Sequence, residues 1–149
     1  MVTLLQNVDY APRLLTIPGI GVVTLAIVLG ELGNLRNYRN SKQILKMAGL
    51  NLFERSSGQR QGTRRITKRG RAELRHILYL AAIRMTAKGR PLHGLRQKLS
   101  PTKPAPKVAV AGMRRLLKAM FAIVRDNRPF MQEVFEVRPA MTLEKKLAA

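Results

Sequence analysis

No cysteine occurs among the 149 residues, which rules out disulfides, thiolate nucleophiles and cysteine-ligated zinc and is compatible with a reducing cytoplasm. Acid is scarce as well. Eight Asp and Glu stand against 28 Lys and Arg. The eight (Asp9, Glu31, Glu54, Glu73, Asp126, Glu133, Glu136 and Glu144) are scattered. Metal-dependent phosphoryl transfer draws on several convergent carboxylates, and no such group is visible, so neither a metal site nor a cofactor is expected in the chain. The start, Met1-Val-Thr-Leu-Leu-Gln, lacks the basic and apolar pattern of a secretory signal. A membrane-length apolar run is missing too. Leu14 to Gly30 is free of charge, but Pro18, Gly19 and Gly21 interrupt it, and the remainder is too short to span a bilayer. A buried helix, and no membrane partner, is the expectation.

What the sequence does have is positive charge. A formal +20 makes the folded chain repel itself unless a polyanion or salt neutralises it. Nucleic acid is the natural partner, because Lys and Arg displace condensed counterions from phosphates whatever the base sequence.

Glycine and proline punctuate a mainly α pattern. Residues 11–16 end a short helix, Pro18–Gly21 make a tight turn, and Val22–Leu32 form a helix apolar on nearly all sides, which calls for neighbours all round. Gly33 stands at a left-handed C-cap position. Asn40 or Ser41 caps a short helix carrying Ile44, Leu45 and Ala48, with Gly49 as its stop. From Asn51 to Gly70 the apolar period disappears into an irregular or hairpin-like basic loop. Arg71–Lys88 is helical, with Leu74, Leu78, Ala81, Ala82 and Met85 inward and Arg71, Arg75 and Arg84 outward. Arg90–Leu99 is a shorter helix. These elements compose a helical domain over residues 1–99. Ser100–Pro106, with three prolines, reads as a semi-rigid linker. A basic amphipathic helix over 107–128 follows, with Val110, Met113, Leu117, Met120, Phe121 and Val124 on one face and Lys107, Arg114, Lys118 and Arg125 on another. It packs on or extends the first domain. Residues 129–149 form a tail, able to dock a turn through Phe130, Met131, Val134 and Phe135, with a mobile end.

Two segments carry chemistry. Leu15-Thr-Ile-Pro-Gly-Ile-Gly21 leading into a helix has the pattern of a helix-hairpin-helix. Gly19, Ile20 and Gly21 present backbone that can approach a phosphate, which the free amides of the next helix then meet. A plain turn between packed helices reads the same way. In the second segment, Arg55–Arg75, eight of twenty-one residues are Arg or Lys and Glu73 is the sole acid. Its Arg55, Arg60, Arg64, Arg65, Lys68, Arg69, Arg71 and Arg75, interleaved with Gly, Ser, Thr and Gln, suit phosphate and sugar contacts. The segment holds no Phe, Tyr or Trp, which speaks against base stacking within it. Ser57, in Ser56-Ser57-Gly58, is by its local sequence an ordinary loop serine, since nothing beside it supplies a base or metal. His76 and His93, without a third ligand, make no metal site.

The ordered set Leu14-Leu-Thr-Ile-Pro-Gly-Ile-Gly21, Leu32-Gly-Asn34, Ala48-Gly-Leu50, Ser57-Gly58, Arg65-Ile-Thr-Lys-Arg-Gly70 and Leu74-Arg75 resembles the C-terminal domain of Piv/MooV-type DEDD transposases, insertion-sequence family one-hundred-ten. The likeness is close over residues 14–95 and looser over Lys107–Arg125. It implies DNA as substrate and a structured noncoding guide RNA (the bridge RNA) as partner. It also implies a serine beside the Ser-Gly glycine, Ser57 with Ser56 as the fallback, that attacks a DNA phosphodiester, and it puts Gly58 at the nucleic acid. Magnesium is implied for a full-length member, held by four acids of an N-terminal RuvC-like domain. No such domain is recognised in this sequence, so cutting is expected to need that domain as a partner, or a homo-oligomer. A bacterial or archaeal, nucleoid-associated cytoplasmic setting follows. The alternative is a non-catalytic nucleic-acid-binding fragment or regulator that keeps the fold without the chemistry.

Overall fold

In the computed structural model, residues 5–54, 62 and 64–132 are described, and they form a mainly helical body with one small hairpin. Helix α1 (Ala11–Leu14) is a single turn with Pro12 in its first positions, where a missing amide costs nothing. The chain then reverses at Ile17-Pro-Gly-Ile20. The Ile20 amide donates to Ile17 O at 3.1 Å and Gly19 takes φ +94°, the signature of a type II turn with proline and glycine at its two central positions. Ile17 and Ile20 point into the core.

Helix α2 (Val22–Leu32) buries Leu25, Val28, Leu29 and Leu32. Its all-round apolarity suggested neighbours on every side. Its first turn instead stands open, with Val22 and Val23 exposed by 38% and 57%. Gly33 follows with φ +70° as expected of a stop, but ψ is −150°. That is not the left-handed helical region but an extended one that only glycine enters readily. Tyr10 holds the next turn: its hydroxyl accepts from the Leu35 amide at 3.0 Å and donates to Asn34 Oδ1 at 3.2 Å.

Asn40, rather than Ser41, caps helix α3 (Ser41–Met47) by accepting from the Gln43 amide at 3.1 Å. After Gly49 the chain enters an antiparallel pair, β1 (Leu52–Glu54) with β2 (Arg64–Ile66), in which Leu52 faces Ile66 and Phe53 faces Arg65. Of the two readings of this stretch, irregular or hairpin-like, the strand pair bears out the hairpin at Leu52–Glu54 and Arg64–Ile66.

Helix α4 (Ala72–Met85) sends Leu74, Leu78, Ala81, Ala82 and Met85 inward as expected. It ends three residues early, where the Thr86 hydroxyl back-bonds to Ile83 O and Gly89 turns with φ +75°. Helix α5 (His93–Leu99) starts after Pro91 rather than at Arg90. Helix α6 (Ala105–Asp126) begins ahead of Lys107, because Pro106 sits in its first turn, where proline is tolerated. Residues 105–106, read as linker, are therefore helical. Asn127 in the left-handed region closes α6, just before Pro129.

Helix α6 contributes Met113, Leu116, Leu117 and Met120 to the apolar cluster built by Leu14, Leu25, Leu74 and Leu78. Each such side chain stabilises the fold by roughly 1.5–3 kcal/mol relative to exposure. α6 crosses α4 closely at Gly112, where an added Cβ would lie 3.2 Å from Ala82 Cβ. Beyond α6 the Phe130 amide donates to Thr16 Oγ1 at 2.8 Å, which returns the chain to the first turn. The tail residues Val134 and Phe135 lie outside the described residues.

Candidate nucleic-acid interface

The basic hairpin is anchored where α3 ends. Gly49, at φ +67°, lets the Leu50 amide reach back to Leu45 O and its own amide to Lys46 O, both at 2.9 Å. This is the paired bonding of a Schellman stop. The chain returning from β2 then lies along this stop. Thr67 N–H donates to Asn51 O, Lys68 N–H to Gly49 O and Arg71 N–H to Met47 O, at 2.8, 3.0 and 2.9 Å. Gly70 fits only because it has no side chain: a Cβ there would sit 2.4 Å from Met47 O and 2.5 Å from Gly49 N.

Two arginines finish this crossing. Arg75 Nη1 donates to Ala48 O at 3.3 Å and Gly70 O at 3.1 Å, and Arg114 Nη1 donates to Leu50 O. Cationic donors at carbonyls left over by a helix end relieve groups that would otherwise be buried unpaired. Burial lowers the proton affinity of the Arg114 and Arg115 guanidinium groups below the usual arginine value.

Between the hairpin and helices α5 and α6 runs a groove of about 830 Å³. Arg64, Arg65 and Lys68 stand along its hairpin wall, and Lys103, Lys107, Arg114, Arg115 and Lys118 along the α6 wall. No acid lines it. The nearest carboxylate in sequence, Glu54, is 3.1 Å from Arg64 Nε, across an exposed ion pair worth little in water. The floor is apolar, with Ile66, Leu95, Leu99, Val110 and Ala111, and Leu52 and Phe53 stand at it half exposed.

Of the residues expected to touch nucleic acid, Arg64, Arg65 and Lys68 share this groove. Arg69 and Arg71 do not. They line a shallower depression with Tyr38 and Lys46, and Arg71 Nη1 lies 3.5 Å from Glu31. Arg75 spends its Nη1 on the crossing. Gly19, Ile20 and Gly21 lie at the first turn: Ile20 is buried, Gly19 packs its backbone toward Met85, and nothing lies within 4 Å of a Cβ placed on Gly21. No side chain caps the α2 amides there. Ser57, its fallback Ser56, and Arg55, Gly58 and Arg60 lie outside the described residues.

The sequence reading did not bring Lys103, Arg115 or Phe53 to this surface. The spacing of Lys107, Arg114 and Lys118 was the available signal, since a seven- and four-residue step puts them on one helical stripe. For magnesium the described residues do not fit: no group of three His, Asp or Glu comes together among them, and Asp9, Glu31, Glu54 and Asp126 each lie against an arginine. Among the described residues no helix is long and apolar enough to cross a membrane.

The Transposase IS116/IS110/IS902 family matches residues 11–95, from α1 through the hairpin to α5. The chain is 32% identical over 134 residues to the pilin gene-inverting protein of Moraxella bovis, covering 85% of this chain and 40% of that protein. It is 37% identical over 78 residues to the transposase for insertion sequence element IS1328 of Yersinia enterocolitica, covering 52% of this chain and 23% of the relative. Against a probable family 20 transposase of Pseudomonas aeruginosa it is 31% identical over 120 residues, with 75% and 34% covered. The chain thus spans less than half the length of these relatives. With its turn, hairpin and α4 all inside the matched region, this chain belongs to the IS116/IS110/IS902 transposase family.

Proposed function

We propose that the chain is the DNA-engaging portion of a transposase or recombinase, holding DNA in the cationic groove between the hairpin and α6. The carrying observation is the groove itself: cations on both walls and no carboxylate among its described lining residues. Phosphates entering it release counterions, and Glu54, the carboxylate beside the hairpin wall, is already paired with Arg64. The first turn adds a second contact of helix-hairpin-helix type. Gly21 leaves the uncapped amides at the start of α2 open to a phosphate oxygen.

Ser57 supplies the nucleophile in this reading, with support from family membership and from its position in the chain between β1 and β2, the two strands of the groove's hairpin wall. Its Oγ attacks a DNA phosphorus, one phosphodiester P–O bond breaks, and a phosphoserine ester replaces it, ready for rejoining to another strand. Binding of the metal that assists such a step belongs to the RuvC-like domain, supplied as a partner or by a further copy of the whole protein, and the guide RNA selects the DNA.

Neutralising Arg64, Arg65 and Lys68 tests the groove. Affinity for duplex DNA falls and the slope of log K against log salt flattens by roughly one unit per lost phosphate contact. Unchanged affinity places DNA elsewhere. For the chemistry, the chain is combined with a RuvC-like partner, guide RNA, element DNA and magnesium, and a protein–DNA adduct is sought. Its persistence in Ser57→Ala would remove Ser57 from the role.

A further inference from the structure

We infer that the groove receives an unpaired DNA strand, with bases turned to the apolar floor and phosphates to the cationic walls. This rests on the proposed DNA-binding role and makes it specific. A surface that meets only duplex backbone needs cations and polar donors, because duplex bases face one another and show their edges only within the grooves. The floor here has neither. Ile66, Leu99, Val110 and Ala111 lie between the cationic walls, and Phe53, exposed by 44%, stands at the edge of the floor beside Arg65.

An aromatic face and aliphatic floor flanked by Lys and Arg are what a single strand uses. Bases stack on the ring regardless of their identity while the backbone follows the charge. Phe53 has no need of exposure for the fold, and leaving Leu52 and Phe53 half open costs hydrophobic stabilisation that a partner would restore. Charge complementarity selects a polyanion over an apolar peptide, since cations and no carboxylate stand among the described lining residues.

DNA rather than RNA fits the lining. A 2′-hydroxyl is recognised through polar partners. Among the described lining residues the one hydroxyl, Thr67 Oγ1, already donates to Gly49 O at 3.3 Å, and none of them carries an amide or carboxylate side chain.

The chain contains no tryptophan, so Phe53→Trp installs a lone indole reporter while keeping an aromatic surface. The full chain is titrated with oligothymidine, with the matching oligothymidine–oligoadenine duplex, and with oligouridine. The expected result is quenching of the indole by oligothymidine and little by the duplex. In parallel, Phe53→Ala weakens oligothymidine binding about tenfold, within the range of one lost base stack, and weakens duplex binding by a clearly smaller factor. Equal loss for strand and duplex, or no selective quenching, overturns the unpaired-strand inference and leaves the DNA-binding reading standing. Tighter binding of oligouridine than of oligothymidine overturns the choice of DNA. Failure of all three probes to bind overturns both readings.

Discussion

The arginines at the end of α3 and the cations of the groove come from the same charge-rich sequence and do opposite things. Arg75 turns inward, donating to the Ala48 and Gly70 carbonyls that the Schellman stop and the returning chain leave over, and Arg114, though it stands on the α6 wall of the groove, commits its Nη1 to Leu50 O. Arg64, Arg65, Lys68, Lys107 and Lys118 face an open trough. The first set ties the hairpin to the helical body, and the second uses the position so fixed. Net charge therefore overstates the binding surface, because part of it holds the scaffold together. An inward cation should register in stability, and a groove cation in binding and its salt dependence.

The largest effect that can break this division is expected at Gly70. In Gly70→Ala the new methyl meets the backbone of Met47 and Gly49 at 2.4–2.5 Å, and backbone cannot rotate aside. A loss of about 3 kcal/mol, and a drop in Tm of roughly 10 °C, is expected in thermal unfolding. Unchanged stability would mean the crossing does not anchor the hairpin.

Arg75→Met comes next. It keeps most of the aliphatic stem and removes the donors to Ala48 O and Gly70 O, so unfolding free energy falls by about 1–2 kcal/mol, while the salt slope of DNA binding holds. A slope change of a full unit at unchanged Tm would move Arg75 into the groove set.

Lys107→Gln with Lys118→Gln should reverse that pattern. Tm stays level and the slope falls by roughly two units, one for each phosphate contact.

Gly21→Ala is the mildest for the fold. Gly21 sits at φ −97° with nothing near its added Cβ, so stability changes by less than about 0.5 kcal/mol. A selective loss of DNA affinity sharpens the phosphate contact at the first turn. Unaltered affinity reduces Ile17–Gly21 to a plain packing turn.

The helices were legible because their signals are local. Pro18 and Gly19 announced a turn, Gly49 a stop, and the three-four spacing of Leu74, Leu78, Ala81, Ala82 and Met85 a buried face. Local signals also misplaced ends: the three prolines of 101–106 suggested extended chain, although a proline in a first helical turn is as much at home. The site was legible only on one wall. Arg64, Arg65 and Lys68 lie within the obvious basic run, whereas their counterparts Lys107 and Lys118 belong to α6, with Lys103 just ahead of it, and become neighbours only when α6 packs on α4. The carbonyl bonds of Arg75 and Arg114 could not be foreseen, since Ala48 O and Leu50 O lie 27 and 64 residues away in sequence. Phe53 stood just outside the aromatic-free run, and its exposure is decided by tertiary packing.

The central claim is that the placement of charge, and not its amount, creates the nucleic-acid site. The most direct measurement compares two variants with equal loss of charge: Arg64, Arg65, Lys107 and Lys118 changed to glutamine within the groove, and Lys42, Arg84, Lys88 and Arg90 changed to glutamine outside it. DNA affinity is followed across a salt series for both. The groove variant should bind far more weakly, with its slope reduced by roughly four units, and the outer variant should stay near the unaltered chain. Equal losses in the two would contradict the claim and return the binding to undirected net charge.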